Sequence, residues 1–162
     1  MFRAAVERAP DATAVTYFDG RLTVRDVDEL TDALAQALLA EASTRATGGL
    51  SIFRMSALRP RLGHAQTIRE WCRLTPDDVV LAVAPLIHIT GLIAHVAVAL
   101  LGLAELVLFY RATRTCWVDV RREHRPTFTV PALPVYITLA STPGVTADDL
   151  SSMSATYSGG AR

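Results

Sequence analysis

The chain has 162 residues, of which 51% are hydrophobic and 20% are charged, and its formal net charge is zero. This length suits one ordinary domain, and the composition is too apolar for a disordered tail. A neutral chain has no bulk electrostatic attraction for nucleic acid or for an acidic membrane, so neither is an expected partner.

Residues 1–42 form the first predicted unit, which opens without the apolar stretch of a secretory signal. A cytoplasmic location is therefore predicted. A strand at 14–18, an Asp-Gly turn and a short second strand are typical of a hairpin. Thr23 and Asp26 match a capping box, and the apolar spacing over 27–38 predicts an amphipathic helix with a polar outer face.

Residues 43–63 lose this periodicity and scatter four arginines among glycine, serine and proline. This composition predicts a linker or junction, with or without a short helix inside it.

Strand and helix patterns alternate over residues 64–162. Helices are predicted at 65–72, 91–101, 115–124 and 131–141, and strands at 79–84, 106–110, 127–130 and 155–157. Such alternation predicts an α/β fold with a mostly parallel sheet and flanking helices.

The apolar run from 79 to 110 raises a membrane span as an alternative, because 92–108 alone approach the required length. Pro85 and Gly91 interrupt the run, and Glu105 lies inside it. Buried parallel strands also form continuous apolar runs. A strand, turn, helix and strand are therefore favoured, and no span is expected.

No metal site or disulfide is predicted. Cys72 and Cys116 lack CxxC spacing and are interpreted as reduced core thiols. The acidic pairs at 77–78 and 148–149 adjoin turns, where capping or solvation is the favoured interpretation. His95 lies within an apolar helix pattern and is interpreted as structural.

Four segments follow one another in a specific order: ERAPDATAV with the hairpin after it, REW with LTPDDVVL, PLIHITG at 85–91, and YSGGA at 157–161. Together they resemble the adenylate-forming (AMP-binding) superfamily, especially fatty acyl-CoA synthetases, whose motifs include PLFHxxG and SGGAP. The resemblance implies a fragment of the large N-terminal domain of such an enzyme. It also implies a carboxylic acid and its acyl adenylate as ligands, with ATP, Mg²⁺ and CoA in the parent reaction.

The third segment implies a substrate site. In that family the histidine of PLFHxxG lies beside the acyl and adenylate pocket, which corresponds to His88, with Thr90 and Gly91 shaping the turn. A turn at the carboxyl end of a strand also projects into the crevice where open α/β sheets bind ligands.

The fourth segment implies a nucleotide site. In the family this loop lies against the adenine and its ribose, and glycine permits a close backbone approach. The resemblance therefore implies nucleotide-binding roles for Ser158, Gly159, Gly160 and Ala161.

Departures from the family pattern imply an inactive remnant. The sequence contains no lysine, and no phosphate loop ending in Pro-Lys-Gly precedes residue 69. Adenylation depends on positioning and on neutralising phosphate charge. We therefore predict no catalytic residue, no productively bound cofactor and no activity of this chain alone, and we interpret it as truncated and internally deleted.

Two alternatives remain open at this point. In the first, the chain is a non-catalytic binding or assembly module that pairs with itself, another ligase chain or a complementary fragment. This hypothesis rests on the apolar surface and strand edges that a partial sheet exposes. In the second, the chain is a poorly folded pseudogene product, which would not unfold cooperatively.

Overall fold

The computed structural model describes residues 2–44, 55–109 and 114–158. Its helices and strands follow in chain order: α1 (Phe2–Arg8), β1 (Thr13–Tyr17), β2 (Gly20–Thr23), α2 (Val24–Thr44), α3 (Met55–Trp71), β3 (Val79–Ala82), a π-helix (Thr90–Ala97), α4 (Val98–Gly102), β4 (Glu105–Leu108), α5 (Arg114–His124), β5 (Phe128–Thr129), α6 (Leu133–Ala140), a 3₁₀ turn (Asp148–Leu150) and β6 (Ala155–Thr156).

The described strands form one six-stranded sheet in the order β2-β1-β4-β3-β5-β6. The pair β1–β2 is antiparallel, and the other four pairs are parallel. The predicted α/β class with a mostly parallel sheet is therefore confirmed. Several strands end earlier than predicted: β3 stops at Ala82, and β5 spans two residues.

The N-terminal hairpin joins this sheet through β1, so residues 1–42 and 64–162 share one sheet. The predicted capping box is present: the Asp26 N–H donates to Thr23 Oγ1 over 3.1 Å, and the Thr23 N–H donates to Asp26 Oδ2 over 2.7 Å. The apolar stripe of α2 is covered only in part. Val24 is buried, whereas Leu30 and Leu34 are 57% and 60% exposed.

Helix α3 is longer than predicted. It begins at Met55 rather than at 65, so the last part of the predicted junction 43–63 is helical, and the first two residues belong to α2. Methionine, alanine, leucine and arginine are good helix formers, and here they outweigh Pro60 and Gly63. Residues 45–54 of the junction lie outside the described residues.

The helix predicted at 91–101 begins as a π-helix and continues as α4. The Val98 N–H donates to the carbonyl of Ile93, five residues back, and to that of His95. An apolar pattern predicts a helix here, but it does not distinguish the two helix types. π-helical segments are frequent at functional sites.

Alternate residues of the central strands point to two cores on opposite faces of the sheet. On the π-helix face, Val80 and Leu106 pack with residues of α3, the π-helix and α4, and with Phe128. On the α5/α6 face, the core consists of Leu81, Val107, Trp117 and Leu139. Among the described residues, no helix has the length and apolar character needed to cross a bilayer.

Candidate functional site

A tight turn follows β3 at the carboxyl edge of the sheet. The His88 N–H donates to the Pro85 carbonyl over 2.9 Å, and the Leu92 N–H donates to the His88 carbonyl over 3.0 Å. These two bonds connect the turn directly to the π-helix. They hold the exposed side chain of His88 at the strand's end, which is where the sequence predicts it.

Thr90 fixes the His88 ring. The Thr90 N–H donates to His88 Nδ1 over 3.2 Å, and Thr90 Oγ1 lies 3.1 Å from the same nitrogen. A ring nitrogen that accepts from a backbone N–H carries no proton itself, so the neutral imidazole is protonated at Nε2. The exposed ring therefore presents an N–H donor to a ligand.

Gly91 is required by a close backbone approach. A Cβ at this position would lie 2.2 Å from the Pro85 carbonyl oxygen and 2.8 Å from the Ala84 carbonyl oxygen. No side chain fits at these distances without moving the turn. The predicted shaping role of Gly91 thus has a steric basis, and the substrate-binding roles of His88, Thr90 and Gly91 stay predictions.

An apolar cleft of about 510 Å³ lies beside this turn, at the carboxyl ends of β1, β3 and β4. Its lining residues are Tyr17, Ala82, Val83, Ala84, Pro85, Leu86, Leu108 and Phe109. None of them carries a charge. The cleft suits a hydrocarbon chain or ring, and it offers no counter-charge to a phosphate.

The predicted nucleotide loop falls at the limit of the described residues. Ser158 is exposed, and Gly159, Gly160 and Ala161 lie outside the described residues. β5 separates β6 from β3. The Ser158 and His88 segments therefore leave the same edge of the sheet about 10 Å apart, measured between strand axes.

The acidic pairs serve turns, as predicted. Asp78 Oδ2 accepts from the Thr75 N–H over 2.7 Å, and Asp149 Oδ2 accepts from the Thr146 N–H over 2.9 Å. The hydrogen bond from the Thr146 N–H, and after it the one from the Thr146 hydroxyl, lower the pKa of the Asp149 carboxyl. Among the described residues, no group of three or more His, Cys, Asp or Glu side chains could hold a metal ion.

His95 has the structural position that the sequence predicts. It is 0% exposed, and its Nε2 accepts from the Val130 N–H over 3.1 Å. Burial lowers its pKa to about 4, so the imidazole is neutral at pH 7. Because Nε2 accepts, the proton is on Nδ1, which has no hydrogen-bond partner among the described residues. A neutral ring still costs far less to bury than an imidazolium.

Sequence reasoning did not identify Tyr17 and Phe109 as cleft residues. Both were assigned to strands or their ends, and both line the cleft. An available signal is that each aromatic residue lies at the carboxyl end of a predicted parallel strand, where ligands bind in such sheets. The neighbouring order of β1 and β4 could not be deduced from the residues.

The chain is similar in sequence to known proteins. The sequence profile of a family described as "AMP-binding enzyme" matches residues 58–162. The 4-coumarate–CoA ligase 3 of Oryza sativa subsp. japonica is 33% identical over 85 residues, which are 52% of this chain and 15% of that ligase.

Two solved structures share the fold. ATP-bound MatB from Rhodopseudomonas palustris has a TM-score of 0.55 at 24% identity, over 62% of this chain and 20% of MatB. The unliganded O-succinylbenzoate coenzyme A synthetase MenE from Bacillus subtilis has a TM-score of 0.72 at 12% identity, over 98% of this chain and 56% of MenE. The chain thus spans one fifth or less of the ligase and of MatB.

Proposed function

The chain belongs to the AMP-binding enzyme family, and from this we propose that it is the acid-binding part of an acyl-CoA synthetase and is inactive by itself. In the parent reaction a fatty acid or related carboxylic acid becomes an acyl adenylate and then acyl-CoA, with ATP, Mg²⁺ and CoA. The rice relative's name adds aromatic acids such as 4-coumarate to the candidate substrates. We propose that the parent enzyme acts in fatty-acid metabolism in the cytoplasm.

The observation that carries the proposal is the turn at His88 beside the apolar cleft. Thr90 holds the ring so that Nε2–H is the available donor, and the cleft lining is uncharged. A donor beside an apolar cavity suits an acid whose polar end accepts a hydrogen bond and whose body is hydrocarbon. Ser158 would lie at the nucleotide end of the same edge.

The described residues do not fit a magnesium triphosphate. The cleft has no charged lining residue, no three His, Cys, Asp or Glu side chains cluster among the described residues, and the sequence has no lysine. Loss of one oriented donor in a site that stabilises developing negative charge typically costs about 3 kcal/mol of barrier. Several such donors are missing at once here, which supports inactivity of these 162 residues alone.

The first experiment measures pyrophosphate release from ATP and Mg²⁺ with dodecanoate or 4-coumarate. We expect no release above the rate without protein. Release that depends on the acid and on the protein would contradict the inactive part of the proposal.

The second experiment measures acid binding by displacement of a fluorescent fatty-acid analogue. We expect dodecanoate to displace it, and we expect His88→Ala to weaken binding about fivefold, the value of one hydrogen bond. His64→Ala is the matched control because His64 is an exposed histidine on α3. Equal affinity of both variants and the parent chain would contradict a binding role for His88.

An assembly module is the second candidate, and exposed apolar side chains favour it. Ile87 is 100% exposed, and Leu30 and Leu34 on α2 are more than half exposed. A complementary ligase fragment or a second copy would cover such surfaces. Size-exclusion chromatography with light scattering tests this: a defined complex supports it, and a compact monomer at high concentration contradicts it.

A further inference from the structure

The π-helix places one polar side chain at the candidate site and another in the core. Thr90, its first residue, contacts the exposed His88 ring through its N–H and its hydroxyl. His95 is 0% exposed, and its Nε2 accepts a hydrogen bond from the Val130 N–H over 3.1 Å. The hydrogen bonds of a π-helix join residues five apart, and Thr90 and His95 have that spacing. One helical hydrogen-bond step therefore connects the exposed contact to the buried one.

The strand β5, which ends just before Val130, is fixed to the strands on both sides of it. Thr129 Oγ1 donates to the Leu81 carbonyl on β3 over 2.8 Å, and the Tyr157 N–H donates to the Thr129 carbonyl over 3.2 Å. Ser158, the proposed start of the nucleotide segment, follows Tyr157 directly. A continuous series of hydrogen bonds and short backbone links therefore runs from the histidine ring beyond β3, through the π-helix and the end of β5, to the chain just before Ser158.

Space filling does not explain a histidine at position 95. Ile93 and Val98, on the same helical stretch, belong to the apolar core. The imidazole Nδ1 has no hydrogen-bond partner among the described residues, and an unpaired buried donor costs free energy. An apolar side chain would fill this space without that cost. The bond from the Val130 N–H to Nε2 is the contact that needs a side chain with an acceptor.

We propose that His95 is a positioning residue, which holds the π-helix against the end of β5 and so fixes the His88 ring relative to the segment that begins at Ser158. The position of the turn follows from the hydrogen bonds alone, whereas its consequence for ligand binding rests on the proposed function. His95 touches no ligand in this role. It acts through Thr90, which orients the ring, and through Val130, which connects the helix to the sheet.

Amide hydrogen exchange, followed by NMR on the full chain, tests the position of the turn without any ligand. The reporters are the N–H groups of His88, Thr90 and Leu92, which donate hydrogen bonds within the turn. We expect His95→Leu, which removes the acceptor for the Val130 N–H, to speed their exchange about fivefold or more, the value of one hydrogen bond. His95→Gln keeps an acceptor, so its exchange should match that of the parent chain. Unchanged exchange in His95→Leu, or equal acceleration in His95→Gln, would overturn the proposal.

Leu139→Ala is the matched control for a general loss of stability, because it truncates a core side chain on the opposite face of the sheet. The turn is expected to open locally rather than by global unfolding, so its amides should exchange at the parent rate in this variant. His95→Met is a second variant without the imidazole acceptor, and its flexible side chain adapts to the same space if leucine does not. We expect it to accelerate exchange at the turn as His95→Leu does. Acceleration in Leu139→Ala, or none in His95→Met, would overturn the proposal.

Displacement of the fluorescent fatty-acid analogue by dodecanoate then tests the consequence for binding. We expect His95→Leu to weaken dodecanoate binding about fivefold, as His88→Ala does, and the double variant to lose no more than either single variant. Losses that multiply in the double variant would overturn the proposal that His95 acts through His88. Faster exchange at the turn with unchanged affinity would uphold the positioning role of His95 and contradict the binding role of His88, so the two proposals fail separately.

Discussion

In the part of the chain that the structure describes, each face of the sheet buries one basic side chain, with different consequences. On the π-helix face, His95 is neutral at pH 7 and accepts a hydrogen bond from the Val130 N–H. On the α5/α6 face, Arg121 keeps its charge and has no hydrogen-bond partner among the described residues. Among the described residues, the apolar cores also differ in size, with ten buried residues on the first face and four on the second.

The difference shows that burial of a basic group depends on whether it can release its proton. A histidine with a lowered pKa becomes an ordinary polar core residue at neutral pH. An arginine cannot do so, and it remains a buried cation. Burial of the basic side chain is therefore expected to cost more stability on the α5/α6 face than on the π-helix face.

The largest expected effect is the loss of stability when a side chain of each core is truncated, and it differs between the two cores. Phe128→Ala on the π-helix face should lower the free energy of unfolding by about 3–5 kcal/mol, because Phe128 is fully buried in the centre of the larger core. Leu139→Ala on the α5/α6 face should cost less, about 2–3 kcal/mol, because it borders a cleft. Urea unfolding measures both values, and equal losses would break the comparison.

The next effect is a loss of stability at acidic pH. His95 has a pKa of about 4 when folded, against 6.5 for the free side chain, so folding favours the neutral form. The contribution of this pKa difference to the free energy of unfolding is complete above pH 6.5 and is lost as the pH falls towards 4. The loss should be about 3 kcal/mol. Urea unfolding at several pH values measures it.

A matched pair of variants assigns this loss to His95. His95→Gln keeps an acceptor for the Val130 N–H but does not titrate, so its stability should change little between pH 6.5 and 5. His88→Ala removes an exposed histidine and should retain the full decline of the parent chain. A decline of the same size in His95→Gln would show that other groups cause it.

A smaller effect of opposite sign is expected on the α5/α6 face. Arg121→Met should raise the free energy of unfolding by about 1–3 kcal/mol, because an apolar side chain replaces a buried unpaired charge. Thermal unfolding without added anions measures the change. A destabilised variant would show that a group of the protein already satisfies Arg121 in solution.

The smallest effect is expected outside both cores. Leu34→Gln on α2 should change stability by no more than about 0.5 kcal/mol, because the side chain is 60% exposed. A loss above about 1 kcal/mol, especially one that grows with protein concentration, would show that another chain covers this stripe.

Much of the fold could be predicted because its signals are local. Buried strands such as β3 and β4 appear as continuous apolar runs, and the Thr23–Asp26 capping box marks the start of α2 within four residues. The early start of α3 could not be predicted, because Pro60 and Gly63 normally weaken a helix. The π-helix was also not predictable, since the apolar spacing does not specify hydrogen-bond register.

Some features of the candidate site could likewise be predicted from the sequence, and others could not. The PLIHITG segment predicts the turn, and the structure adds the reason for Gly91, a contact with the backbone at Pro85 and Ala84. The burial of Arg121 could not be predicted, because it depends on tertiary packing against α5, where segments distant in sequence such as the 3₁₀ turn at Asp148–Leu150 come into contact. Helical spacing places Arg121, but not Arg122, on the same side of α5 as Trp117, yet charged residues on an amphipathic helix usually extend to solvent, so the spacing alone does not predict full burial.

The position of β1 has a consequence for synthesis on the ribosome. Thr16 on β1 donates to Glu105 on β4 over 2.6 Å, and these partners are 89 residues apart in the chain. At typical elongation rates of about 5–20 residues per second, the hairpin waits roughly 5–20 seconds after it emerges before its neighbour exists. During that interval one edge of β1 is unpaired, which makes the nascent hairpin a natural target for chaperones.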